Sequence, residues 1–357
     1  MSQGARSEGQ GPGDSFATFP TTPVIPLHVK IRAMLDAEPA TPPLDTLPVA
    51  QVRALREGMM LRRPKLDELV ARVEDRAIPR PGGGVPVRIY TPHGSGPHPV
   101  LVYFHGGGWV LGNLDTHDGV CRSLCHRTDG LIVSVDYRRS PEHKFPAALE
   151  DCSAVVRWCA ERAAEIGGDG TRLAVAGDSA GGNLAAALAL TFRDQGGPRL
   201  ALQVLIYPVT HYAFETASYH RFATDYGLTR ESMWYFWKSY LASPTDGGNP
   251  YASPLLARDL GGLPPALVLT AQYDVLRDEG EAYAARLAQA GVSVRCTRYL
   301  ELNHGFVQLA ALCESADRGV QEIADALRVA WNKEISMVGD FRQHTSGLAI
   351  RGVSGAM

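Results

Sequence analysis

Apolar positions along this chain recur with two different periods, and the switching between them marks out its elements. Eight short runs rich in branched and aromatic residues read as strands: Val70 to Ala77, Val85 to Tyr90, Val100 to His105, Leu131 to Asp136, Arg172 to Ala176, Leu202 to Tyr207, Ala266 to Thr270 and Val292 to Tyr299. Several of the later runs are continuously apolar, the pattern of strands covered on both faces. Between them, segments of helical spacing lie near Thr116 to Arg127, Pro146 to Ala164, Gly181 to Arg193 and Leu276 to Ala290, with a last one near Glu314 to Trp331. Strands joined by helical crossovers imply a mostly parallel sheet with helices on both sides, so the predicted fold class is α/β.

Two features stand outside this alternation. Ahead of the first strand, Leu27 to Leu35 and Val49 to Met60 carry apolar residues near helical spacing, separated by a Pro-rich break from Pro39 to Pro48. They are not needed for the sheet, so their apolar faces must pack elsewhere on the molecule. Later, roughly sixty residues separate Tyr207 from Ala266, far more than an ordinary loop, so this stretch must hold structure of its own. Its Thr229 to Leu241 segment is helix-like and aromatic, with Trp234, Tyr235, Phe236, Trp237 and Tyr240. These aromatics either line a binding slot, with Trp109, Trp234 and Trp237 as the candidates, or pack as plain core. The expected organisation is a polar leader over 1–26, N-terminal cap helices over 27–69, a core in two parts over 70–207 and 263–332, a cap insertion over 208–262, and a tail over 333–357.

Composition narrows the partners. With 357 residues, 45% hydrophobic and 20% charged, the chain can bury one large core, and general disorder is excluded. A net charge of -3 without a Lys/Arg cluster gives no field for nucleic acid or anionic membranes. The six cysteines, at 121, 125, 152, 159, 296 and 313, show no paired spacing and read as reduced thiols. Residues 1–15 lack an apolar signal region and no stretch is long enough to span a bilayer, so a soluble cytoplasmic protein is expected.

The chemistry is concentrated in three places. Gly177-Asp178-Ser179-Ala180-Gly181 joins the run Leu173 to Ala176 to an alanine-leucine helix, which is how a serine nucleophile is mounted on a strand-to-helix turn. His105-Gly106-Gly107-Gly108-Trp109 follows another strand, and its glycines can present N–H donors without side-chain obstruction. Gly106, Gly107 and Ala180 are the expected oxyanion donors. The absence of a G-x-x-x-x-G-K-[ST] pattern argues against a phosphate cradle. In a hydrolase of this topology the acid and the base follow the nucleophile in chain order. Asp274 and His304 each stand just beyond a predicted strand, at the same edge as Ser179. Asp278 is the rival acid, but it reads as first-turn helix, where a carboxylate favours the dipole. His211 and His220 fall in the long insertion and His344 in the tail. Asp178 is expected to hydrogen-bond the turn. No His/Cys/carboxylate cluster has zinc spacing and no dinucleotide loop is present, so neither metal nor cofactor is implied.

On these residues the chain resembles the bacterial hormone-sensitive-lipase-like esterases, family IV, from about Arg76 to Arg328. The likeness lies in His105 to Trp109, Gly177 to Gly182, Asp136-Tyr137-Arg138 with Pro141 to Asp151, Asp274 to Gly280 and His304-Gly305-Phe306. It implies an α/β-hydrolase core of eight strands under a helical cap, hydrolysis of short to medium acyl esters of small molecules, and often homodimers. Arg139-Ser140 stands where the family has a leucine-alanine pair, and Val275 where it has proline. An amidase or lactonase would use the same triad. A non-catalytic receptor of the same fold, as the plant gibberellin receptor is, lacks the working histidine that stands here at 304.

Overall fold

The computed structural model describes residues 25–39, 41–66 and 68–332. The tail over 333–357, the leader apart from its last two residues, and His344 lie outside the described residues. Two helices, α1 (Val29–Ala37) and α2 (Val49–Leu61), precede a sheet of eight strands: β1 (Arg72–Arg80), β2 (Gly83–Thr91), β3 (His98–Phe104), β4 (Leu131–Val135), β5 (Gly168–Asp178), β6 (Gln203–Ile206), β7 (Ala266–Tyr273) and β8 (Val294–Asn303). All eight predicted strands are present. The order is β1-β2-β4-β3-β5-β6-β7-β8, antiparallel at β1, β2 and β4 and parallel from there to β8.

Alternate side chains of the central strands enter opposite layers. Val100, Val102 and Phe104 face one apolar cluster, and Leu101 and Tyr103 the other. The first layer is closed by α4 (Ala147–Arg162), α5 (Ala180–Gln195) and α8 (Arg277–Gln289), the second by α3 (Asp118–Thr128) and α9 (Glu314–Asn332). Helix α5 is enclosed from Ala180 to Phe192, and its run of alanines lets it lie close on the sheet. The outer strand β8 alternates between exposed and part-buried positions over most of its length, as an edge strand does.

The long connection contains α6 (Ala217–Arg221) and α7 (Arg230–Tyr240). Thr229 caps α7 by accepting the Ser232 N–H at 3.0 Å. Met233, Phe236, Trp237 and Tyr240 recur at helical spacing and are all buried.

The parallel register brings five strand ends to one rim. Phe104 pairs with Gly177, Asp178 with Ile206, and Tyr273 with Asn303. The residues that follow those ends, His105, Ser179, Tyr207, Asp274 and His304, therefore emerge side by side.

Beside the same edge, past the ends of β1 and β4, Asp151 of α4 is almost fully enclosed. It accepts the Arg138 N–H at 2.9 Å, bonds Arg138 Nε at 2.9 Å and ion-pairs with Arg80 Nε at 2.9 Å. This carboxylate joins α4, the end of β1 and the loop after β4. Asp151→Ala leaves two guanidinium groups without their shared partner and is expected to lower unfolding free energy by about 2–3 kcal/mol, read from urea denaturation.

Candidate active site

Ser179 sits at φ 58° and ψ −118°, a left-handed conformation that a side-chain-bearing residue adopts only under constraint. The constraint is steric. A Cβ on Gly181 would collide with the carbonyl oxygen of Phe104, and one on Gly177 with the backbone of Gly181. Only glycine allows β5 to turn this sharply into α5. The serine hydroxyl is thereby lifted off the sheet at the first residue before the helix.

Ser179 Oγ lies 2.9 Å from His304 Nε2, and His304 Nδ1 lies 2.8 Å from Asp274 Oδ2. The other Asp274 oxygen accepts the Leu276 N–H at 2.9 Å, and the residue is enclosed. A carboxylate beside Nδ1 requires the proton there, so Nε2 offers its lone pair to the serine hydroxyl. Gly305 at φ 84° lets the chain reverse after His304, and buried Phe306 anchors the reversal with its ring 5.1 Å from that of Tyr207. Tyr207 also covers the imidazole, the two rings 4.6 Å apart. Such an assembly can take a proton from Ser179 and pass it on.

The alternatives considered from sequence are placed elsewhere. Asp278 accepts the Ser218 N–H at 2.7 Å and pairs with Arg277. His211 donates its backbone N–H to Glu279, and His220 pairs with Glu215 at 3.1 Å. Asp178 does bond the turn region: its Oδ1 accepts from Tyr103 Oη at 2.8 Å and from the Gly106 N–H at 3.0 Å.

That last bond corrects one expectation. Gly106 was expected as an oxyanion donor, but its N–H is already held by Asp178, with His117 Nε2 at 3.3 Å as a second acceptor. Among the described residues the N–H groups of Gly107, Gly108 and Ala180 have no partner. Gly107 at φ 115° and Gly108 at φ 61° are in conformations that suit glycine. The sequence signal was present, three glycines rather than two, but which of them is already engaged depends on a residue 72 positions away. His105 is a pin beneath this loop. Its ring stacks on Tyr137 at 4.2 Å, and burial, with the nearby His117 imidazole, pushes its pKa down to about 3, so it is neutral.

The tryptophans are a second correction. Trp109 and Trp237 are fully buried, Trp109 stacked on Tyr240 at 4.0 Å and 4.8 Å from Trp237, so they fill the core rather than face a ligand. Trp234 is 47% exposed, with Lys238 over its ring, and borders a groove of about 450 Å³ between α1 and α7. The aromatic of α7 that closes on the glycine loop is Phe236, whose ring occupies the space a Gly108 side chain would need.

A model of the alpha/beta hydrolase fold family matches residues 101–308, more than half of the chain. This protein belongs to that family. It is 45% identical over 286 residues to a carboxylic ester hydrolase of Mycobacterium tuberculosis, covering 78% of this chain and 74% of that one. An ethyl acetate hydrolase of Pseudomonas putida is 37% identical over 282 residues, 77% of this chain and 88% of its own. Among solved structures, a thermostable esterase from Pseudomonas putida aligns with a TM-score of 0.83 at 39% identity, over 87% of this chain and 99% of that one. The resemblance to hormone-sensitive-lipase-like esterases and the α/β-hydrolase core of eight strands are borne out.

The arginine of the Arg139-Ser140 departure has a structural role in this member, while Ser140 contributes its backbone carbonyl. Arg139 Nη1 pairs with Glu57 of α2 at 2.7 Å and donates to the Gly112 carbonyl at 2.8 Å, while Ser140 O accepts from Arg53 at 2.9 Å. Glu57 also accepts the Gly112 N–H at 3.1 Å. Helix α2 thus grips the segment following the glycine loop.

Glu279, at the start of α8, carries no sequence signal of burial yet is fully enclosed beneath the long insertion. It accepts the N–H groups of Thr210 at 2.6 Å and His211 at 3.2 Å, and burial, despite those donors, raises its pKa well above the carboxylate range. The folded protein therefore holds a proton that the unfolded chain releases near the ordinary glutamate range. Stability is highest below that range and falls as pH rises toward the folded-state value. Glu279→Gln is expected to flatten this decline, measured by urea unfolding between about pH 5 and pH 9.

Proposed function

We propose that this protein is a carboxylic ester hydrolase that acts on short to medium acyl esters of small molecules through a serine acyl-enzyme. The observation that carries the reading is the continuous hydrogen-bonded chain from Asp274 through His304 to Ser179, at 2.8 and 2.9 Å. Ser179 Oγ attacks the ester carbonyl carbon while His304 Nε2 takes its proton. Asp274 keeps the imidazole in the tautomer that can accept and stabilises the imidazolium that forms. The carbonyl oxygen, now negative, is received by the free amides of Gly107, Gly108 and Ala180, each such donor contributing about 2.7–4 kcal/mol of transition-state stabilisation. His304 returns the proton to the departing alkoxide. It then takes a proton from water, which attacks the acyl-serine, and returns that proton to Ser179 Oγ as the bond to the acyl carbon breaks and the acid departs.

A short acyl preference is supported by the aromatic wall. Phe236 closes over Gly108, and Trp109, Trp237 and Tyr240 fill the space behind it. In this reading α1, α2 and the 208–262 insertion form the cap, and the groove beside Trp234, which reaches Gly227 near Asn303, gives access. Among the described residues no helix is long and apolar enough to cross a membrane. A cytoplasmic location is supported by six free cysteines, five of them buried. A homodimer is supported by the position of β8 as the last strand of the sheet.

Ser179→Ala is expected to abolish turnover of p-nitrophenyl butyrate, by about 10⁶ in kcat, with an unchanged circular dichroism spectrum. Asp274→Asn is expected to lower kcat by about 10⁴. Wild-type activity in either variant would refute the roles given to these residues. Across p-nitrophenyl esters of increasing length, kcat/KM is expected to drop beyond about ten carbons. Faster cleavage of ester than of the matching anilide would separate this reading from an amidase.

A further inference from the structure

A line of side chains with no part in the proposed chemistry runs from the end of α2 to the glycine loop. Arg63 Nη1 donates to Gln308 Oε1 at 2.9 Å. A guanidinium has donors only, so this bond fixes the amide, and the Gln308 NH₂ faces His117 Nε2 at 2.8 Å. A donor at that point requires a lone pair on Nε2. Two donors at Nε2, the Gln308 amide and the Gly106 N–H at 3.3 Å, oppose the single carboxylate oxygen there, Asp178 Oδ1 at 3.3 Å, so the His117 proton sits on Nδ1, 2.9 Å from Thr116 Oγ1, whose own hydrogen goes to the Asn113 carbonyl at 2.9 Å. His117 is fully enclosed, which leaves its tautomer to these neighbours.

The tautomer matters for the loop. The Gly106 N–H lies between two acceptors, Asp178 Oδ1 at 3.0 Å and His117 Nε2 at 3.3 Å. With a proton on Nε2 instead, the ring would confront two donors, the Gln308 amide and Gly106, and compete with Gly106 for Asp178 Oδ1, 3.3 Å away. That competition would weaken the bond that engages the loop's first amide.

We propose that Gln308, set by Arg63, is a positioning residue for the oxyanion loop, acting by holding His117 in the Nδ1–H form. The inference rests on the ester-hydrolase reading for its kinetic effect, while the tautomer itself is measurable without turnover. Gln308→Glu keeps the partner of Arg63 but replaces the donor facing His117 by an acceptor. It is expected to lower kcat on p-nitrophenyl butyrate about tenfold, with KM within about twofold of wild type. Arg63→Met should act in the same direction and Arg63→Lys should restore most of the loss. The double variant Arg63→Met/Gln308→Glu should be no worse than the poorer single one, because both act through one relay. Titration of Ser179 with a phosphonate ester counts intact sites in each variant, so a folding defect shows as a lost fraction rather than a lower kcat.

Nitrogen NMR of the full chain labelled in histidine should report His117 as the Nδ1–H form in wild type and the Nε2–H form in Gln308→Glu. Unchanged kcat in Gln308→Glu, or an Nε2–H signal in wild type, overturns the proposal. If the wild type cleaves no ester, the functional reading fails and the NMR result still decides the relay.

Discussion

The close approach of Gly181 to the Phe104 carbonyl is the constraint on which the site depends. It brings the start of α5 against the end of β3, and both Gly177 and Gly181 are required for that contact. From it follow the left-handed backbone of Ser179, the emergence of the glycine loop beside the serine, and the need for a helix of small residues behind it. A looser turn would let Ser179 relax into an ordinary conformation, and its hydroxyl would lose its place opposite His304.

Around this turn the protein handles buried carboxylates in different ways. Asp274 is met by an imidazole N–H and a backbone N–H. Asp178 takes a phenol and the first amide of the glycine loop. Asp151 takes two guanidinium groups, and Glu279 two backbone amides and a raised pKa. Burial of a charge is tolerated where donors satisfy it, and Glu279 instead holds its proton. Each of these sets draws its donors from a different part of the chain, so the same bonds that satisfy the charge also fix the spacing of the loops.

Much of this was legible in the residues themselves. Runs rich in branched and aromatic residues, several of them continuously apolar, located all eight strands, and chain order with strand ends located Ser179, Asp274 and His304, because those signals are local. What escaped was decided by contacts distant in sequence. Whether Gly106 or Gly108 has a free amide depends on Asp178. Whether Trp109 and Trp237 face a ligand or the core depends on how α7 lies over the loop, and they stack with Tyr240. Gln308 and Arg63 carry no motif at all, yet they meet across 245 positions. The arginine at 139 has meaning only once α2 is seen to supply Glu57.

Ser179, Asp274 and His304 each stand one residue beyond the last residue of a strand. Because side chains alternate across a sheet, sliding any of these strands by a single position would aim the following side chain at the opposite face. A molecule assembled with such a slip could still be compact, helical and soluble, yet chemically silent. For this architecture, assembly errors are counted more faithfully by titrating the serine than by any bulk measure of folding.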